Sequence, residues 1–81
     1  MLEQINQTID VLVAFTQEKV LPLSFRWQNK KYSISKVNLV HSERIGRDKW
    51  YYFSVSSGAE YFKLGFNTER NHWVLAEAYF E

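Results

Sequence analysis

The chain has 81 residues, a formal net charge of +1, no Cys and a single Pro. That length allows one small domain, near the lower limit for folding without staples, and the lack of Cys excludes disulfides and thiolate metal sites. The 6 Phe, 5 Tyr and 3 Trp must therefore supply much of the core, since each ring can bury roughly 150–250 Å².

The longest apolar run, Val11 to Phe15, is too short to cross a bilayer or to form the core of a secretory signal. Glu3 also stands where such a signal would be basic. A cytoplasmic location without membrane association is the resulting expectation. Charge is unevenly spread. Residues 1–18 carry three acids and no base, residues 19–49 eight bases and two acids, and residues 50–81 two bases and four acids. Gathered on one surface, the basic middle third would make a modest positive patch.

At the N-terminus, Leu2, Ile5, Ile9 and Leu12 follow helical spacing, whereas Ile9 to Phe15 alternates as a strand does. The expectation is a flexible or helical segment over 1–7, then a single β-domain over 8–81 whose first strand covers about 8–16. Pro22 is expected to end that element, because it lacks an amide donor and restricts Leu21.

Leu23 to Trp27 and Tyr32 to Ser35 alternate cleanly around Gln28-Asn29-Lys30-Lys31. Either a two-residue loop at Asn29-Lys30 or a four-residue loop sets Trp27 opposite Tyr32 and Phe25 opposite Ile34, all on one face. Arg26, Lys31, Ser24, Ser33 and Ser35 take the wet face, and Asn29 suits a positive φ. The strand continues through Val37 to Val40 with a bulge near Lys36. Residues 41–49, polar with one Gly, read as a mobile loop.

Further on, Ser57-Gly58 reads as a hairpin turn with positive φ at Gly58, which pairs Phe53 with Phe62 and Tyr51 with Leu64. Tyr51, Phe53, Val55, Phe62, Leu64 and Phe66 then share the core face. The opposite face carries Trp50, Tyr52, Tyr61 and Lys63, with Gly65 lying under Trp50. So aromatic a face is either a binding surface or buried by curling of the sheet. The turn Asn67 to Asn71 leaves the last register open. A five-residue loop sends Val74, Ala76, Ala78 and Phe80 inward, and a four-residue loop sends Trp73, Leu75 and Tyr79. The predicted fold is all-β, an antiparallel meander of about six strands forming a strongly curved sheet or small open barrel, with a short helix or frayed start before it.

The ordered pattern Pro22…Phe25-x-Trp27, Lys30-Lys31-Tyr32-x-Ile34, Val37, Tyr51-Tyr52-Phe53-x-Val55, Gly58, Tyr61-x-Lys63-Leu64 and Trp73-x-Leu75 resembles a family of small uncharacterised bacterial β-domains. Their motif runs Pro…Phe-x-Trp-x-Gly-Arg-Arg-Tyr-x-Val, then a Tyr-rich strand and a terminal Trp-x-Leu. The resemblance covers residues 8–80. Asn29 stands in place of Gly and Lys30-Lys31 in place of Arg-Arg, swaps that keep turn geometry and charge. It implies an all-β fold and a link to nucleic acid, and it implies no catalytic residue.

Enzyme signatures are missing: no phosphate-binding Gly loop, no nucleophile elbow and no dinucleotide fingerprint. His41 and His72 read as ordinary strand-end residues, and His41-Ser42-Glu43 has triad residue types without evidence of triad geometry. Glu60 and Glu77 read as a solvated pair if they meet at all. The chain is thus expected to be a non-enzymatic binding module without metal or other cofactor. The candidate nucleic-acid contacts are Arg26, Lys30, Lys31, Lys36, Arg44, Arg47 and Lys49 for phosphates, with Trp50, Tyr52 and Tyr61 for stacking on bases. Structurally, the same bases would keep a small sheet soluble. The alternative is a protein-docking or homodimer surface on Trp50, Tyr52 and Tyr61, so that single-stranded nucleic acid and another protein are the expected partners, and monomer or homodimer the expected state.

Overall fold

The computed structural model describes residues 1–80; Glu81, the last residue of the expected domain, lies outside them. Seven strands follow in chain order: β1 (Leu2–Phe15), β2 (Val20–Trp27), β3 (Lys30–Ser33), β4 (Lys36–Ile45), β5 (Asp48–Ser57), β6 (Glu60–Asn67) and β7 (His72–Tyr79). They form one antiparallel sheet in the order β3-β2-β1-β7-β6-β5-β4. The fold is all-β, as expected, with one strand more than predicted and no helix among the described residues.

The topology forces strong curvature. β3 and β4 are the two edges, yet only Ile34 and Ser35 connect them. Laid flat, six gaps between neighbouring strands would part the edges by roughly 29 Å at about 4.8 Å each. Three Cα steps from Ser33 to Lys36 reach at most about 11 Å. The sheet therefore curls back on itself, and the linker is tied to both sides: Ile34 N–H donates to Leu23 O at 2.9 Å, Ser35 N–H to Ser56 O at 2.8 Å. β3 and β4 do not pair, so the sheet is not closed into a barrel.

Bulges supply the bend. Ile5 and Asn6 on β1 stand against Ala76 on β7, with Asn6 at φ 54°. Asn38 is the extra residue of β4 and Leu23 that of β2, just after Pro22. Each unpaired residue increases the local right-handed twist. Pro22 does not end a strand as expected. It sits inside β2 opposite Val13, beyond the reach of the short β3, where its missing amide costs no ladder bond on that side.

Residues 1–7 are neither helical nor free. Leu2 to Gln4 pair with Glu77 to Tyr79, and Phe80 N–H donates to Met1 O at 2.9 Å. Ladder pairing against β7 outcompetes the helical spacing of the apolar residues. Residues 41–49 are likewise strand and turn: β4 and β5 pair from Lys36 to Ile45 around the two-residue turn Gly46-Arg47, with Gly46 at φ 63°. A positive φ at the first turn position is what a type II′ hairpin requires.

The remaining hairpins are offset from expectation by one turn residue. The β2–β3 turn is Gln28-Asn29, both at positive φ, so Phe25 faces Tyr32 and Trp27 faces Lys30. The β5–β6 turn is Gly58-Ala59, which sets Val55 against Phe62 and Phe53 against Leu64. Moving a turn by one residue moves each partner by two, so the face assignments survive. Ser24 is the exception on the expected wet face: it is buried. On β7 each half of the open register is realised. A four-residue turn, Thr68 to Asn71, sends Trp73 and Leu75 inward, and the bulge at Ala76 then reverses the phase to bury Ala78.

The interior is aromatic. Phe62 on β6 meets Phe25 at 5.0 Å, Tyr32 at 5.1 Å and Trp27 at 6.4 Å between ring centroids, reaching across the curl to β2 and β3. Leu64, Leu75 and Ala78 are fully buried beside them. At the opposite end Asn67, 1% exposed, is satisfied on both sides. Its Oδ1 accepts from the Glu69 and Arg70 amides at 3.0 Å each, and its Nδ2 donates to Asp48 Oδ2 at 3.0 Å. That bond, and then Arg70, hold the Asp48 carboxyl below its ordinary 3.8. A lowered carboxyl contributes stability above its unfolded value and loses it as pH falls through the folded one. Asn67→Ala should cost about 1–3 kcal/mol at pH 7 by urea unfolding, a gap that narrows in acid as Asp48 protonates.

Candidate functional site

Alternation along β5 sends Tyr51, Phe53 and Val55 to the core and Asp48, Trp50, Tyr52 and Ser54 outward. Opposite Tyr52 stand Gly65 on β6 and His41 on β4; opposite Trp50 stand Asn67 and Glu43. The outward rings form one row. His41 stacks on Tyr52 at 5.2 Å, Tyr52 lies parallel to Trp50 at 5.9 Å, and His72 meets Trp50 edge-on at 5.7 Å. Trp50, Tyr52 and His72 are half-buried and His41 is exposed.

Gly65 makes the row possible. A Cβ there would lie 3.0 Å from Tyr52 Cε1 and 3.2 Å from Trp50 Cε3, so both rings rest where a side chain would stand. The expected cover of Gly65 by Trp50 is shared between two rings. Lys63 Nζ sits 4.8 Å from the Tyr52 centroid, a cation–π contact on the same face. Burial, and secondarily the Glu43 carboxylate, push the Tyr52 phenol above its ordinary 10.0. The phenol therefore stays neutral throughout the physiological range.

The basic candidates do not gather into one patch. Arg26, Lys30 and Lys31 lie at the β2–β3 end, where Arg26 faces Asp10 on β1 and Lys30 Nζ lies 5.0 Å from the Tyr32 ring. Lys36 begins β4 opposite Ser56. Arg44 lies eight residues further along β4, roughly 26 Å at strand rise. There the Arg44 guanidinium donates to Arg47 O at 3.4 Å, and Lys49 Nζ lies 5.1 Å from the Tyr51 ring. Of the aromatic candidates, Trp50 and Tyr52 join the row. Tyr61 instead pairs with Tyr79 at 6.3 Å, towards the end that holds the chain termini.

His41 and His72 belong to the row although each read as an ordinary strand-end residue. The signal lay in Gly46: taken as a hairpin turn, it brings His41 opposite Tyr52. Ser42 points to the other face from His41 and Glu43, so those three do not converge. Glu77 faces Lys63 on β6 while Glu60 faces Ser57, so the two acids do not meet. Among the described residues no three His, Asp or Glu side chains come together as metal ligands would.

A concavity of about 670 Å³ opens on the core side, along the seam between the β1–β2 turn and β4, lined by Phe15, Val20, Leu21, Val40, Tyr51 and Phe53. Sheet and row together define a small, open, single-sheet β-domain with an aromatic outer face. Neither a protein-family model, nor a curated protein, nor a solved structure matches the chain.

Gly65→Val should force Trp50 and Tyr52 off the sheet and lower stability by about 1–3 kcal/mol. Denaturant unfolding and the Trp emission maximum would register it.

Proposed function

We propose that the domain is a non-enzymatic binding module that holds single-stranded nucleic acid on the outer face of β4 to β7. The observation that carries this reading is the continuous row His41, Tyr52, Trp50 and His72, with the Lys63 amine over Tyr52. Flat rings seated on a sheet give bases a stacking platform of tolerant sequence preference, and adjacent cations serve the backbone phosphates. Arg47, in the β4–β5 turn just beyond Trp50, would extend that cationic border, whereas Arg44 lies opposite Lys49 on the other face and does not. Arg26, Lys30 and Lys31, at the other end, fall outside the contact.

A contact with another protein is the second reading, and a separate observation favours it. Tyr61 and Tyr79, 47% and 43% exposed, pair beside the exposed Leu2 away from the row. Large rings exposed together are common anchors of protein interfaces.

Titration of labelled single-stranded DNA and RNA at increasing salt separates the two. Affinity should fall steeply with salt, and Tyr52→Ala should weaken binding by about 5- to 150-fold, the equivalent of roughly 1–3 kcal/mol for one stacked base. His41→Ala, at an exposed ring, should weaken it without disturbing the fold. Replacing Lys30 and Lys31 by Glu should leave the affinity within about twofold. No binding at low salt, or wild-type affinity in the folded His41 and Tyr52 variants, would remove the nucleic-acid reading.

A further inference from the structure

β4 is a ten-residue edge strand whose outer margin pairs with no other strand, and nine of its residues are exposed. An edge this long normally carries a guard against pairing with other chains, such as Pro, a cover or repelling charges. Here the guards are the bulge at Asn38, which breaks the beginning, and the single inward-facing charge of Arg44, opposite Lys49 on β5. From Leu39 to Ile45 the strand is regular, and Leu39 and Ile45 stand 58% and 52% exposed on the outer face.

The order of residues on that face is Leu39, His41, Glu43, Ile45, with Ser42 at the midpoint. A two-fold axis through Ser42, perpendicular to the sheet, would lay a second β4 antiparallel to the first with outer faces continuous. Residues opposite each other then sum to the same number. Leu39 meets Ile45 of the second copy, and His41 meets its Glu43, each twice by symmetry. All four outward positions are complementary to themselves.

Neighbouring registers lack this property. Centring the axis on His41 sets Leu39 against Glu43 and His41 against its own copy. Centring it on Glu43 opposes the two Glu43 carboxylates and leaves His41 against Ile45. Side chains directly across an antiparallel pair interact most strongly, and like charges there are unfavourable. The pattern thus selects both a partner and a register.

We propose that two copies of this chain associate edge to edge through β4, in the register centred on Ser42, so that their two sheets become one. A dimer of this kind is isologous and closed, since β4 is used up and the other edge, β3, has only four residues. It would also bring the two aromatic rows onto one surface, but it is independent of what binds there.

The mass in solution, followed by sedimentation over a range of protein concentrations, tests it. The wild-type chain should reach twice the monomer mass. Leu39→Lys with Ile45→Lys sets Lys against Lys twice and should raise the dissociation constant by tenfold or more, on the order expected for two cross-strand repulsions. Leu39→Glu with Ile45→Lys sets Glu against Lys in this register and no other, so it should restore the dimer. Both positions are exposed in the single chain, and circular dichroism should show all three proteins folded. A wild-type chain that stays monomeric up to about 1 mM, where even about 4 kcal/mol of association would show as dimer, would overturn the proposal. So would a Leu39→Glu, Ile45→Lys variant that dissociates as readily as the doubly basic one.

Discussion

The contact on which the structure depends is the meeting of Phe62 with Phe25, Tyr32 and Trp27. In the sheet, β6 is separated from β2 by β7 and β1, so these rings touch only because the sheet curls. The converse also holds. A short antiparallel sheet has two faces and too little chain to cover either with another layer, so burying one face requires folding the sheet onto itself. Aromatic side chains suit that geometry because they span the interior with few residues. The bulges at Ile5-Asn6, Leu23, Asn38 and Ala76 let the backbone follow.

The outer face follows from the same constraint. Once the core side of β5 is committed to Tyr51, Phe53 and Val55, alternation leaves Trp50 and Tyr52 outside, and only the missing side chain of Gly65 lets both settle on the sheet. Their half-burial reflects stacking on one another and on their neighbours rather than a covering element. That distinguishes the row from a second core and leaves it free to act as a platform.

Much of this was legible in the residues because face assignment is robust to small errors in turns. The β2–β3 and β5–β6 turns each lie one residue from where the residue types place them, yet Phe25, Trp27, Tyr32, Phe53 and Phe62 all reach the core. Two-residue shifts of partner preserve parity. Parity failed to be readable on β7, where the bulge at Ala76 reverses it partway. It was also hidden in β4, whose polar outer residues resemble a loop because an edge strand with solvent on its free side needs few apolar side chains. Trp50 and Tyr52 could be placed from the sequence; His41 could not without that strand. The division of the basic residues between the two ends depends on long-range topology and has no local signal.

Hydrogen exchange on Phe62→Ala addresses the curl most directly. Phe62→Ala should cost about 3–5 kcal/mol, as for a buried Phe replaced by Ala, with amides of β2 and β3 losing protection together with those of β5 and β6. Were β2 and β3 to keep wild-type protection while β6 alone opened, the two halves of the sheet would be stable without each other, and the aromatic contact across the interior would not be what holds the fold.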